Sequence, residues 1–357
     1  MPLELEVAAR QNHDEGVITH MNYRIAINGF GRIGRGVLRA LLEQNTPLEI
    51  VAINDLTNGD TLAQLFNFDS IYGIAPERAS VVRDDDGEAL VIGSRRIRLL
   101  AERDPAKLPW AQHSVDAVLE STGHFTSAEG AGLHLQAGAK RVLVSAPASG
   151  AEVTLVRGVN WEAYDANAHR IISNASCTTN ALAPVAKVLN DLAGIEQGFM
   201  STVHAYTADQ VLVDGPHKDL RRARGAALNL IPTSTGAAKA IGLVLPELDG
   251  KLVGDSIRVP VPVGSIVELT AQVSRSVTVD EVREAFRNAA AGPMAGVLEY
   301  SEDPLVSSDI VGNSHSSIFD SELVRVAGTH VKLSAWYDNE WGFSHRAAET
   351  LEMLAKS

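Results

Sequence analysis

The stretch Gly29-Phe-Gly31-Arg-Ile-Gly34 constrains this chain more than any other. It follows a short apolar run, Tyr23 to Asn28, and precedes Val37, Leu38, Leu41 and Leu42 at helical spacing. A second apolar run, Leu48 to Ile53, ends at Asn54-Asp55. Strand, glycine turn, helix and strand make one βαβ unit, which commits this part to a parallel sheet with right-handed crossovers. Alone, the glycine spacing is a weak signal. Between a strand and a helix, with Asp55 lying 21 positions beyond Gly34, it is a dinucleotide fingerprint. Gly29 permits the tight turn, Gly31 lets a pyrophosphate approach the backbone, and Gly34 allows close helix–sheet packing. The helix N-terminus offers free N–H groups to the phosphates. Asp55 would accept hydrogen bonds from a ribose diol and repel a 2′-phosphate, which favours NAD over NADP.

Further strand-like runs, Ala117–Glu120 and Arg141–Val144, end at the polar loops Ser121–Gly123 and Ser145–Ala148. The half from residue 22 to about 174 therefore reads as doubly wound. Beyond it the texture changes. The runs 199–207, 256–274 and 329–338 are long and partly alternating, with Gly264 a turn candidate, and suggest an antiparallel sheet with one face covered. Thr278 and Glu281 fit a capping box, and Gly292 marks the end of that helix. A last helix-like segment, Ser344 to Lys356, closes the chain.

A net charge of -13 argues against nucleic acid or an anionic membrane as the main partner. No apolar run approaches membrane-spanning length. Residues 1–21 lack a basic start and an apolar core, so they read as a flexible extension of a cytoplasmic protein. Cys177 is the one cysteine in 357 residues, which leaves no internal disulfide. A lone thiol is often inert filler. Here it opens a helical pattern running to Leu192, interrupted by Pro184, and a helix N-terminus lowers a thiol pKa. His204 is the best candidate base, although a strand histidine serves structure at least as often. Thr207, Asp209, Arg221 to Arg224, Ser234 to Gly236 and Arg258 form an anion-binding candidate; each alone also fits an ordinary solvated loop. No metal site is expected.

Taken together, SNASCTTN, HAYT, KDLRRAR, PTSTGAAKA, the RVP holding Arg258 and WYDNEWGFSHR resemble the glyceraldehyde-3-phosphate dehydrogenase family. AINGFGRIGR and VAINDL resemble it too, so the likeness runs from about Tyr23 to the C-terminus. It implies an α/β chain with a Rossmann NAD domain over 22–174, completed by a C-terminal helix at 341–357. An α+β catalytic domain with a mostly antiparallel sheet would occupy 175–340. It also implies a homotetramer in which the segment 205–230 lies near a neighbour's cofactor.

By the same resemblance, Cys177 attacks the aldehyde of glyceraldehyde 3-phosphate. His204 pairs with the thiolate and takes the hydroxyl proton as hydride goes to NAD. Inorganic phosphate then releases 1,3-bisphosphoglycerate from a thioester. Thr207, Asp209 and Arg258 would lie at the substrate-phosphate site, with Asp209 orienting Arg258 or a hydroxyl. Ser176, Thr178, Arg222, Thr235 and Gly236 would lie at the inorganic-phosphate site. Arg32 and Ile33 would supply the cofactor turn, Thr122, Gly123, Phe125 and Ser145 its flanking loops, and Asn339 a bond to the nicotinamide amide. Arg103 is a further cofactor candidate.

The chain departs from the family pattern at Ala181, where a second cysteine is common, at Phe343, where tyrosine is common, and in VPVGSIVELT in place of TPNVSVVDLT. Gly215-Pro216 resembles the NAD-preferring form of its loop. Two other functions compete. Erythrose-4-phosphate dehydrogenase needs no phosphate acceptor, and the intact Thr235-Gly236 segment speaks against it. A catalytically idle binding homologue would have lost Cys177 or His204.

Overall fold

The computed structural model describes residues 23–44 and 46–357, so the expectation for the 1–21 extension lies outside the described residues. β1 (Arg24–Asn28) leads through α1 (Arg32–Glu43) to β2 (Glu49–Asn54). β3 (Arg95–Leu100), β4 (Ala117–Glu120), α2 (Ala128–Gln136) and β5 (Arg141–Val144) follow. β1, β2, β4 and β5 are buried on both faces, the pattern of parallel strands covered on both sides, while β3 alternates, with Ile97 and Leu99 buried and Arg96 and Arg98 not. They pair in the order β5-β4-β1-β2-β3, all parallel, inside a nine-stranded sheet. The chain thus winds from β1 one way to β2 and β3, then restarts on the other side at β4. At that switch the loops leave the strand ends in opposite directions and open a crevice. An antiparallel hairpin, Ala79–Asp84 with Gly87–Ile92, extends the β3 edge; its Asp86-Gly87 turn, with Gly87 at φ +101°, is a hairpin signal that the expectations above did not include.

The second half begins with α3 (Cys177–Ala193), followed by β6 (Ile195–Ala205), β7 (Leu252–Val259), β8 (Ser265–Val273) and α4 (Val279–Ala291). β9 (His330–Tyr337) and α5 (Trp341–Ala355) end the chain. The sheet here is antiparallel-rich but mixed: β6 pairs antiparallel with β8 and parallel with β7. Gly264 is therefore not a hairpin turn. The strands flanking it are not neighbours; β6 lies between them, and Gly264 sits in a crossing segment with φ +87°. α3 packs on the covered face, and Leu182, Val185, Leu189, Leu269 and Leu333 share its core. α5 returns to the first sheet, where Ala348 and Leu351 pack with Val37, Leu38 and Leu41 of α1.

This arrangement gathers the chemistry-bearing residues. Cys177 is the first residue of α3, His204 lies near the end of β6, and Arg258 on β7 is in register with His204. Asn339 sits between β9 and α5. Before Cys177 the chain bends through Ala175, which is buried with φ +56°, a conformation unusual for a residue with a Cβ.

Candidate active site

Ser176 caps α3, its Oγ accepting a hydrogen bond from Thr179 N at 3.0 Å. The cap places the Cys177 thiol on the axis of free N–H groups. Its Sγ lies 3.4 Å from His204 Nε2. His204 Nδ1 is 2.6 Å from the Ala205 carbonyl oxygen, so Nδ1 carries the proton and donates there. The tautomer leaves the Nε2 lone pair facing sulfur, the arrangement a base needs.

Burial pushes the Cys177 thiol up, against the pull of Arg258. The N–H groups of Cys177 and Thr178 at the start of α3 pull in the same direction as Arg258, but burial outweighs them. Burial, followed by Arg258, pulls His204 down to about 3. A lone thiolate or a lone imidazolium is thus disfavoured. Moving the proton from Sγ to Nε2 makes both charges at once, and their attraction in a low-dielectric site offsets much of the burial cost.

Around this pair the anion-site candidates form a chain. Arg258 donates from one terminal nitrogen to Ala205 O and to Thr207 Oγ1, at 3.1 and 3.0 Å, while its buried Nε has no partner among the described residues. The Thr207 hydroxyl donates to Asp209, and Arg222 donates to the other Asp209 oxygen at 2.6 Å. Asp209 thus orients a hydroxyl and Arg222, and reaches Arg258 only through Thr207. Partial burial opposes its ionisation, but Thr207, Arg258 and Arg222 outweigh that and hold its pKa below the ordinary value. Arg222 also donates to the Ser234 carbonyl, which brings the Thr235-Gly236 loop beside it. Two further candidates have hydroxyls with partners inside the protein. The Ser176 hydroxyl is engaged as the cap, and the Thr178 hydroxyl is buried against Tyr337 Oη at 2.9 Å.

At the crevice between β1 and β4, Gly29 has φ +93°, and a Cβ there would lie 2.7 Å from Thr122 N. A Cβ on Gly34 would meet Gly29 O at 2.2 Å. Gly31 instead faces open space and caps α1 without a side chain. Asp55 accepts from Phe30 N at 2.8 Å and from Thr57 N at 2.9 Å. Gly31, Asp55, Arg103, Thr122 and Phe125 line a cavity of about 400 Å³. Gly123, with φ +75°, turns the loop between Thr122 and Phe125. A second cavity, about 290 Å³, is lined by Ile33, Ser145, Cys177, Thr207, Asn339 and Phe343, with Arg32 and Ser176 also at its wall. Asn339 Oδ1 accepts from Gly264 N and Ser265 Oγ, which fixes its amide.

Residues 23–128 match the family model for the glyceraldehyde 3-phosphate dehydrogenase NAD binding domain, and residues 176–339 match the model for its C-terminal domain. A glyceraldehyde-3-phosphate dehydrogenase of Kitasatospora aureofaciens is 68% identical over 93% of this chain and 99% of its own length. Glyceraldehyde-3-phosphate dehydrogenase 1 of Streptomyces avermitilis is 57% identical over 91% of this chain and 96% of its own. That of Mycolicibacterium smegmatis is 54% identical over 94% and 100%. This chain belongs to the glyceraldehyde-3-phosphate dehydrogenase family. The family is one of NAD-dependent oxidoreductases, and the crevice fits that cofactor. The open space at Gly31, where a Cβ would intrude, and the anchored Asp55 carboxylate suit a pyrophosphate and a ribose diol. Tyr337, which bridges Thr178 and Thr202, lies inside the WYDNEWGFSHR motif without an expected role, and the buried pair Glu120 and His134 lies outside the family motifs altogether. The signal for Glu120 was a carboxylate closing an apolar strand.

Proposed function

We propose that this chain is a phosphorylating glyceraldehyde-3-phosphate dehydrogenase, oxidising D-glyceraldehyde 3-phosphate with inorganic phosphate to 1,3-bisphosphoglycerate. The observation that carries this is the 3.4 Å contact between Cys177 Sγ and His204 Nε2, beside a cavity that also touches Asn339 and Thr207. Sulfur bonds to the aldehyde carbon, and its proton goes to Nε2. The new oxyanion, held by the N–H groups opening α3, takes that proton from His204 and becomes the hemithioacetal hydroxyl, which returns the imidazole to its neutral form. The glycine turn and Asp55 would hold NAD, which would supply the hydride acceptor for the hemithioacetal carbon. His204 takes the hydroxyl proton as the C–H bond breaks, leaving a thioester on Cys177. Phosphate attacks the thioester carbon and expels the Cys177 thiolate. Arg258 with Thr207 suits the substrate phosphate, and Arg222 beside Thr235 and Gly236 suits the inorganic one.

Phe199 and Val253 lie on the uncovered face of the second sheet, 71% and 53% exposed. With the exposed Leu212, Leu220 and Leu228 they support assembly with further copies of the chain, four by the family resemblance. One free thiol suits the reducing cytoplasm.

Steady-state kinetics with each aldehyde, with NAD or NADP, and with or without phosphate or arsenate test the reading. Turnover of glyceraldehyde 3-phosphate with NAD that depends on phosphate is expected. Faster, phosphate-independent oxidation of erythrose 4-phosphate overturns it.

A further inference from the structure

Beneath the crevice lies a row of buried polar groups that the reaction above does not use. Asn28, Asn54 and Glu120 end the adjacent strands β1, β2 and β4 and are in register: Asn28 faces Asn54 on one side and Glu120 on the other. The exposures of Asn28, Asn54 and Glu120 are 1%, 5% and 1%. His134 on α2 and Trp110, both fully buried, complete the row.

The hydrogen bonds have one consistent direction. Trp110 Nε1–H can only donate, and it does so to His134 Nδ1 at 2.9 Å. The His134 proton is therefore on Nε2, which donates to Glu120 Oε2 at 3.0 Å. Asn28 Nδ2 donates to the same oxygen at 2.6 Å. Glu120 Oε1 accepts from Thr122 N at 2.8 Å and from Thr122 Oγ1 at 2.5 Å. Asn54 Nδ2 donates to Asn28 Oδ1 at 2.7 Å, and Asn54 also bonds both the N–H and the carbonyl of Glu102.

A buried carboxylate with this many partners is costly to keep, and apolar residues of similar volume are often as stable in such places. What the row accomplishes is positional. It grips three loops that wall the 400 Å³ cavity: Thr122 after β4, Glu102 and Arg103 after β3, and the Gly29 turn after β1. The Gly29 turn is held twice, by Ser121 Oγ donating to Gly29 O at 2.7 Å and by the close approach of Thr122.

We propose that Glu120 and His134 are positioning residues for the dinucleotide, setting the shape of the adenosine end of the site without touching the reacting atoms. This rests on the NAD-dependent reading above. Calorimetric titration of the full-length protein with NAD, alongside the KM and kcat for both substrates, tests it.

Glu120→Gln turns an amide donor toward either His134 or Thr122. It is expected to weaken NAD binding about tenfold, the scale of a buried donor left unpaired. The KM for NAD should rise with it, while kcat and the KM for glyceraldehyde 3-phosphate stay within about twofold, since the thiol cavity is separate. His134→Leu should reproduce the loss. His134→Gln, which can still accept from Trp110 and donate to Glu120, should restore affinity, although both variants remove the same ring from the core. Wild-type affinity in Glu120→Gln and His134→Leu overturns the proposal, as does a loss shared equally by kcat and both KM values. Should Glu120→Gln not fold, the His134 pair decides. Failure of the wild-type protein to bind NAD would instead overturn the NAD-dependent reading itself.

Discussion

Burial raises the free energy of a charge on Cys177 Sγ, while Arg258 and the N-terminus of α3 lower it, and His204 decides the balance by taking the proton. Replacing His204 with Asn removes the acceptor but keeps the Arg258 neighbour, so the thiol is left with the burial that pushes it up. Alkylation by iodoacetamide near neutral pH should then slow at least about tenfold, and the midpoint of its pH profile should move upward. An unchanged profile would mean that helix and Arg258 suffice and His204 is not the base. kcat should fall roughly 10²- to 10⁴-fold, the usual worth of a general base. Of this pair, the sequence shows the thiol and the helix start directly, because Ser176-Cys177 opens an apolar periodicity. It cannot show that His204 meets the thiol, since the two are 27 positions apart and a strand direction intervenes. Nor can it show that Arg258 lies beside His204, which depends on the parallel pairing of β6 with β7.

Elements whose boundaries are written in side-chain chemistry were legible. α4 begins at the Thr278–Glu281 capping box and ends at Gly292, as its residues dictate. β1, α1 and β2 follow from the glycine turn. Strand partners were not legible, because period-2 alternation reports a buried face and says nothing of the neighbour. Gly264 is the sharpest instance. It reads as a turn, yet it sits in the crossing between β7 and β8, and its N–H helps hold Asn339 Oδ1. With φ +87° it occupies backbone space that favours glycine, and a Cβ there would lie 2.3 Å from Ser307 O. The family pattern has valine at this position, so Gly264→Val tests whether this chain's 307 loop has closed over the vacated space. The variant should lose about 1–3 kcal/mol in denaturant unfolding and raise the KM for NAD through Asn339. Wild-type stability would show that Ser307 yields freely.

Across the whole molecule, α5 ties the last residues of the chain to the first helix, and the tie has a pH dependence of its own. His345 on α5 is 7% exposed; its Nδ1 accepts from Gln44 Nε2 at 2.9 Å, at the end of α1, and its buried Nε2 has no partner among the described residues. Burial, then Arg346 and His315, pull it down to about 4. The neighbouring Arg346 is itself buried, bonded to Gly296 O and Glu349, and among the described residues no carboxylate pairs with the His345 ring to stabilise a positive charge. A histidine whose folded pKa is depressed is neutral in the native state where the unfolded chain already binds a proton. The native state is therefore favoured fully above about 6.5, and the advantage drains as pH falls from there towards 4. His204 adds a second contribution of the same sign, extending towards 3. Each histidine tilts the unfolding free energy by up to ~1.4 kcal/mol per pH unit within its window. In His345→Gln the contribution to the slope between about 6.5 and 4 should vanish, while stability at about pH 8 changes little because glutamine can still pair with Gln44. Carboxylates titrate alike in both proteins, so the difference between the two stability curves isolates the imidazole. Parallel curves would mean that the α1–α5 junction opens enough to hydrate His345 before the protein unfolds.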